Sequence, residues 1–168
     1  MTPPLSNPST KSPKAIDSVE TVKREYKTAI RTRFLELKDR LDTVVYSLIR
    51  TKDLDLADEI YLRLTEDGCS FEELAHFSEG PERDWGARVG PCPLNQGHPE
   101  LAIRLKSWNP GEVKRPFLIH TSAILLRVEH RTAARFSDWE DRIAVKMSED
   151  LWGKARSEPT GLTAMRRL

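Results

Sequence analysis

The run Ser122-Ala123-Ile124-Leu125-Leu126-Arg127-Val128 is the most strand-like in the chain. A strand is stable only where neighbours take up its backbone hydrogen bonds and cover its apolar side. The fold therefore has to supply partners, and three segments qualify. Thr43–Ile49 (TVVYSLI) is rich in β-branched and aromatic residues. Val113–Ile119 reads as a strand interrupted by Pro116, and His120-Thr121 makes a tight turn from it into Ser122. A shorter piece near Ala87–Gly90 lies inside Phe77–Asn95, where Gly80, Pro81, Gly86, Gly90, Pro91 and Pro93 otherwise dictate loop.

Helical patterns surround these strands. Val19, Val22, Tyr26, Ile30, Phe34 and Leu37 recur at three- and four-residue steps, with Asp17 or Ser18 as N-cap. The basic face opposite (Lys23, Arg24, Lys27, Arg31, Arg33) is read as solvated. Asp53 or Asp55 caps a helix with Leu56, Ile60 and Leu64 as its buried stripe, ended by Gly68. Ser70 and Glu73 form a capping box, Pro99 opens a helix to Ser107, and Asn109-Pro110-Gly111 is a turn. A second capping box, Ser137 and Glu140, opens a helix with Trp139, Ile143, Met147 and Leu151 on one side. The class is α+β, a small mixed sheet packed with helices, plus N- and C-terminal flanking helices. The expected divisions are a disordered Pro/Ser/Thr-rich lead over 1–17, an N-terminal helix over 18–40, a sheet domain over 41–131, a C-terminal helix over 137–157 and a frayed tail over 158–168.

Composition removes several functions. Acids and bases nearly cancel, leaving a net charge of +1, so nucleic acid is not an expected partner. No segment is apolar enough to enter a bilayer, and the Pro-rich start lacks a signal peptide's apolar stretch. Cys69 and Cys92 are too few for a secreted disulfide scaffold, which points to a reducing cytosol and a cytoplasmic protein. His76, His98, His120 and His130 are scattered and the cysteines form no CxxC pair, so no metal is expected. There is no nucleophile elbow and no phosphate-binding loop, and no cofactor is implied.

Four phrases in order resemble the parvulin family of peptidyl-prolyl isomerases over about 90 residues. Phe71-Glu72-Glu73-Leu74-Ala75-His76-Phe77-Ser78-Glu79-Gly80-Pro81 is similar to the family's "FxxLAxxxSDxPS". Gly86-Ala87-Arg88-Val89-Gly90 with Asn95-Gln96-Gly97 stands for its Gly-rich loop, and Pro99-Glu100-Leu101 for its "PEF". Asn109-Pro110-Gly111-Glu112-Val113-Lys114-Arg115-Pro116, with the strand Ile124–Val128, closes the match. The flanking helices are similar to those of divergent bacterial and cyanobacterial members that accompany peptide maturation or type I export.

The resemblance implies an apolar trio for the proline ring and a polar shell of two strand histidines and an acid or thiol. Such a shell works by stabilising the twisted amide over the planar one, against a barrier of about 18–20 kcal/mol. Here the first-strand His falls on Tyr46, the acid or thiol on Gly80 with Glu79 before it, and the last-strand His on Ile124. Tyr46, Glu79 and His120 are the candidate catalytic residues, His120 being close to the lost histidine. The ring pocket falls on Val89, Cys92, Gly97 and Leu101, with Thr121 beside it. The bland alternatives are a core tyrosine, an exposed turn histidine and a small buried thiol.

Two readings follow: an isomerase acting on proline-containing peptides or unfolded protein, or a non-catalytic peptide-binding chaperone module on the same fold, in its groove or by adding a strand to the sheet edge. A third gives the outer helices a dimerising role, with Tyr26 and Phe34 facing Trp139 and Trp152 within one chain or between two.

Overall fold

The computed structural model describes residues 19–157, with side chains as far as residue 150. The Pro-rich lead, the Asp17 or Ser18 cap, the 158–168 tail and the Trp152 side chain lie outside these residues. The chain forms two units, one of residues 37–134 and one built from 19–36 and 135–157.

The 37–134 unit is a four-stranded sheet in the order β2-β1-β4-β3, from β1 (Thr43–Thr51), β2 (Arg88–Pro93), β3 (Phe117–Ile119) and β4 (Ser122–Thr132). The α+β class is as expected, but the sheet is not mixed: β1 pairs with β2 and β4, and β3 with β4, all antiparallel. Strand alternation divides the core. Val44, Tyr46 and Leu48 of β1 and Ile124, Leu126 and Val128 of β4 face one side, where Leu101 and Leu105 of α5 (Pro99–Ser107) cover them. Ile49, Ala123 and Leu125 face the other, against Ala57 and Ile60 of α3 (Leu54–Thr65) and Phe71 and Leu74 of α4 (Phe71–Leu74).

Local chemistry explains the boundaries. The Asp53 side chain accepts from Leu56 N and starts α3, and Ser70 and Glu73 make both bonds of the capping box of α4. β2 corrects the expected Ala87–Gly90 piece: it runs on through Pro91 and Pro93. Prolines are tolerated there because β2 is an outer strand with one partner. β3 is shorter than expected, beginning only after Pro116, and is the other outer strand.

In the second unit the expected single N-terminal helix is two, α1 (Val19–Glu25) and α2 (Lys27–Leu41, as far as Glu36 in this unit), with α6 (Phe136–Ser157) beside them. Val22, Ile30, Phe34, Ile143 and Ala144 are buried, and the Phe34 and Phe136 rings meet edge to face at 5.5 Å. The partner of Phe34 named here is thus Phe136, while Trp139 lies under the Arg142 guanidinium. α6 begins at Phe136, so Ser137 falls inside it, where its hydroxyl bonds Asp138.

Candidate functional site

Tyr46, Leu48 and Arg50 alternate onto one face of β1 and form part of the floor of a groove of about 500 Å³. Ile124 completes the floor. One wall is the start of α5, with Gly97, His98 and Leu101. The other is the β3–β4 hairpin, with Ile119, His120, Thr121 and Ser122. The result is an apolar bed edged by hydroxyl, imidazole and guanidinium groups.

Burial, with Cys92 and Glu82 nearby, pushes the Tyr46 hydroxyl up to about 12 against the opposing pull of Arg50, so at neutral pH it is a proton-bearing donor. Arg50 is held by the buried Glu82 through two parallel bonds, Nε to Oε1 and Nη2 to Oε2, each 2.6 Å. The Ser78 hydroxyl adds a third bond to Glu82, 2.6 Å long. Burial alone would push the Glu82 carboxyl up, but the bonds from Arg50 and Ser78 outweigh it and hold it below the usual carboxylate range. Gly80 makes this pair possible, since a Cβ there would collide with Arg50 Nε and both Glu82 carboxylate oxygens.

Two histidines join the walls. The His98 side chain caps α5, its Nδ1 accepting from Glu100 N at 3.3 Å, and its ring meets that of His120 edge to face at 5.0 Å. His120 sits in the two-residue hairpin turn at φ 54°, a conformation that favours glycine. His120→Gly is therefore expected to leave stability unchanged or raise it by up to about 1 kcal/mol. Urea unfolding tests this, and a stability loss would show the imidazole to be a packing residue instead.

Of the candidates from sequence, Tyr46, His120, Gly97, Leu101 and Thr121 come together on the groove. Val89 and Cys92 pack beside Tyr46 and Val44 on the same core cluster but do not line the groove, and burial pushes the Cys92 thiol up. Glu79 is spent elsewhere: its carboxylate accepts from the Thr51 hydroxyl at 3.2 Å and from Lys52 N at 3.0 Å, fixing the end of β1. The reading from sequence did not single out Arg50, His98 or Ser122. Arg50 carried a usable signal, being two alternations beyond Tyr46. Among the described residues no cluster of three or more metal-ligating side chains occurs, and no helix is long and apolar enough to cross a membrane.

No family model matches the sequence, and no curated protein matches it. Solved structures do. The chain is similar to a peptidylprolyl isomerase, PrsA, from Bacillus anthracis (TM-score 0.55, 17% identity, 82% of this chain and 66% of that one). It is equally similar to PrsA from Bacillus cereus (TM-score 0.55, 15% identity, 86% and 62%). A third match is a SurA-like chaperone of Campylobacter jejuni (TM-score 0.54, 15% identity, 82% and 62%). At these identities the likeness is one of fold, which is parvulin-like, and the chain spans 62–66% of the length of these solved chains.

Proposed function

We propose that the 37–134 unit binds extended, proline-containing segments of unfolded protein in this groove, as a parvulin-like foldase or chaperone domain. The observation that carries the reading is the groove itself, about 500 Å³, in which Leu48, Leu101, Ile119 and Ile124 offer an apolar bed edged by polar groups. The peptidylprolyl isomerases and the SurA-like chaperone of similar fold support it. A second reading, slow isomerisation by a substituted shell, is favoured by one observation: Tyr46 and Arg50 both bring N–H or O–H donors to the groove floor. A cytoplasmic setting belongs to the proposal and rests on the two free, half-buried cysteines. A peptide-maturation or type I export system is proposed as the source of clients.

The test is exchange NMR on blocked X–Pro tetrapeptides titrated with the protein. Peptide resonances are expected to shift on binding. Ser122→Trp, which fills the groove from its half-exposed rim with a residue that strands favour, is expected to weaken binding at least about tenfold. Faster cis–trans exchange at substoichiometric protein would establish isomerisation. Absence of any shift with the wild type would refute the groove as a prolyl-peptide site.

A further inference from the structure

We propose that Arg50 is the groove's principal donor to the ligand, giving an Nη1 hydrogen bond to a backbone carbonyl next to the proline, and that Glu82 is the residue that positions it. This inference rests on the groove being a peptide site and adds which atoms recognise the peptide.

Three observations carry it. Glu82 engages Nε and Nη2, one edge of the guanidinium, so Nη1 is not committed to the carboxylate. The Arg50 side chain is 40% exposed and lines the groove, whereas Glu82 is 1% exposed, so the pair has one face toward protein and one toward ligand. Finally, the pair occupies the space into which a side chain at position 80 would project. The polar group absent at Gly80 is replaced in space by a fork anchored two residues further on.

The charge of Arg50 is compensated by Glu82, so what faces the groove is a fixed N–H dipole. A neutral amide oxygen suits it better than a carboxylate, which would sit near the Glu82 charge. The Tyr46 hydroxyl, on the same strand face, is a second donor of the same kind. A donor held before the ligand arrives loses little freedom on binding.

The probes are two blocked peptides, acetyl-Ala-Leu-Pro-Ala-amide and acetyl-Ala-Glu-Pro-Ala-amide, titrated into wild type, Arg50→Lys and the double variant Arg50→Gln/Glu82→Gln. Arginine side-chain N–H resonances are followed in the same samples. Arg50→Lys keeps a cation beside Glu82 but loses the fork. It is expected to bind the Leu-Pro peptide at least about tenfold more weakly, while its unfolding midpoint falls less than that of Arg50→Ala. In the wild type the Arg50 Nη signals are expected to shift and sharpen on saturation. The double variant, with two neutral amides, is expected to stay folded and to bind as weakly as Arg50→Lys. Wild-type binding that both variants retain would overturn the assignment while leaving the peptide site intact. A preference of the wild type for Glu-Pro that Arg50→Lys abolishes would overturn the carbonyl as acceptor in favour of a carboxylate. No binding of either peptide to the wild type would overturn both this inference and the groove's function.

Discussion

Arg50→Ala is expected to destabilise the protein by about 3 kcal/mol at neutral pH, the lower part of the range for stranding a buried charge, because Arg50 itself is partly exposed. The carboxylate left behind loses both bonds from Arg50 and keeps those from the Ser78 hydroxyl and its own backbone N–H. The pH dependence has a definite sign. In the wild type the folded Glu82 carboxyl titrates below its unfolded value, so it contributes stability above the carboxylate range that is lost as pH falls through the folded pKa. Without Arg50 burial dominates, the folded carboxyl titrates above the unfolded one, and the variant is penalised as pH rises. The difference between wild type and variant should therefore be largest near pH 7 and shrink as pH falls from the unfolded carboxyl's value of about 4.3 toward the lower folded pKa of the wild type. Urea unfolding at both pH values measures it, and a difference that does not change with pH would rule out Glu82 as the group responsible.

Gly80→Ala should cost about 1–3 kcal/mol, because the added methyl forces the Arg50–Glu82 pair to shift. The backbone gives no reason for this loss. Gly80 has φ −104° and ψ 175°, ordinary extended values, and an alanine there would by chain entropy alone stabilise by about 0.4–1 kcal/mol. The damage comes from the collision with Arg50 Nε and the Glu82 oxygens. A double-mutant cycle separates the two effects: in an Arg50→Ala/Glu82→Ala background the same Gly80→Ala change should become neutral or stabilising. An equal cost in both backgrounds would place the strain elsewhere.

Local chemistry made much of the fold legible. The Ser70–Glu73 box, the Pro99 helix start and the His120-Thr121 turn each depend on neighbours within a few residues, and each is present. β2 was harder to see, because Pro91 and Pro93 argue against a strand unless the strand is known to be an outer one, and that depends on the whole sheet. The same limit hid the core of the site. Glu82 lies in a Gly- and Pro-rich stretch where a charged residue reads as solvated, and only tertiary packing buries it against Ser78 and Arg50. Arg50 was within reach, since extending the alternation of Tyr46 and Leu48 by one step puts it on the same face. Val89 and Cys92 show the opposite case: the resemblance puts both in the ring pocket, yet the pairing sets Val89 opposite Tyr46 and Cys92 opposite Val44, across a bulge, and neither lines the groove.

The outer strands have a consequence under the function proposed above, in which unfolded chains are the ligands. Every such chain carries segments ready to extend any open row of backbone donors and acceptors, and each addition would create a fresh row for the next. Here one row is broken by two residues without N–H groups, Pro91 and Pro93, and the other is three residues long. On the proposed function, an unfolded segment therefore finds less to pair with at these edges than in the groove. Complexes are thus expected to end with one bound segment per domain and not to grow from the sheet edges.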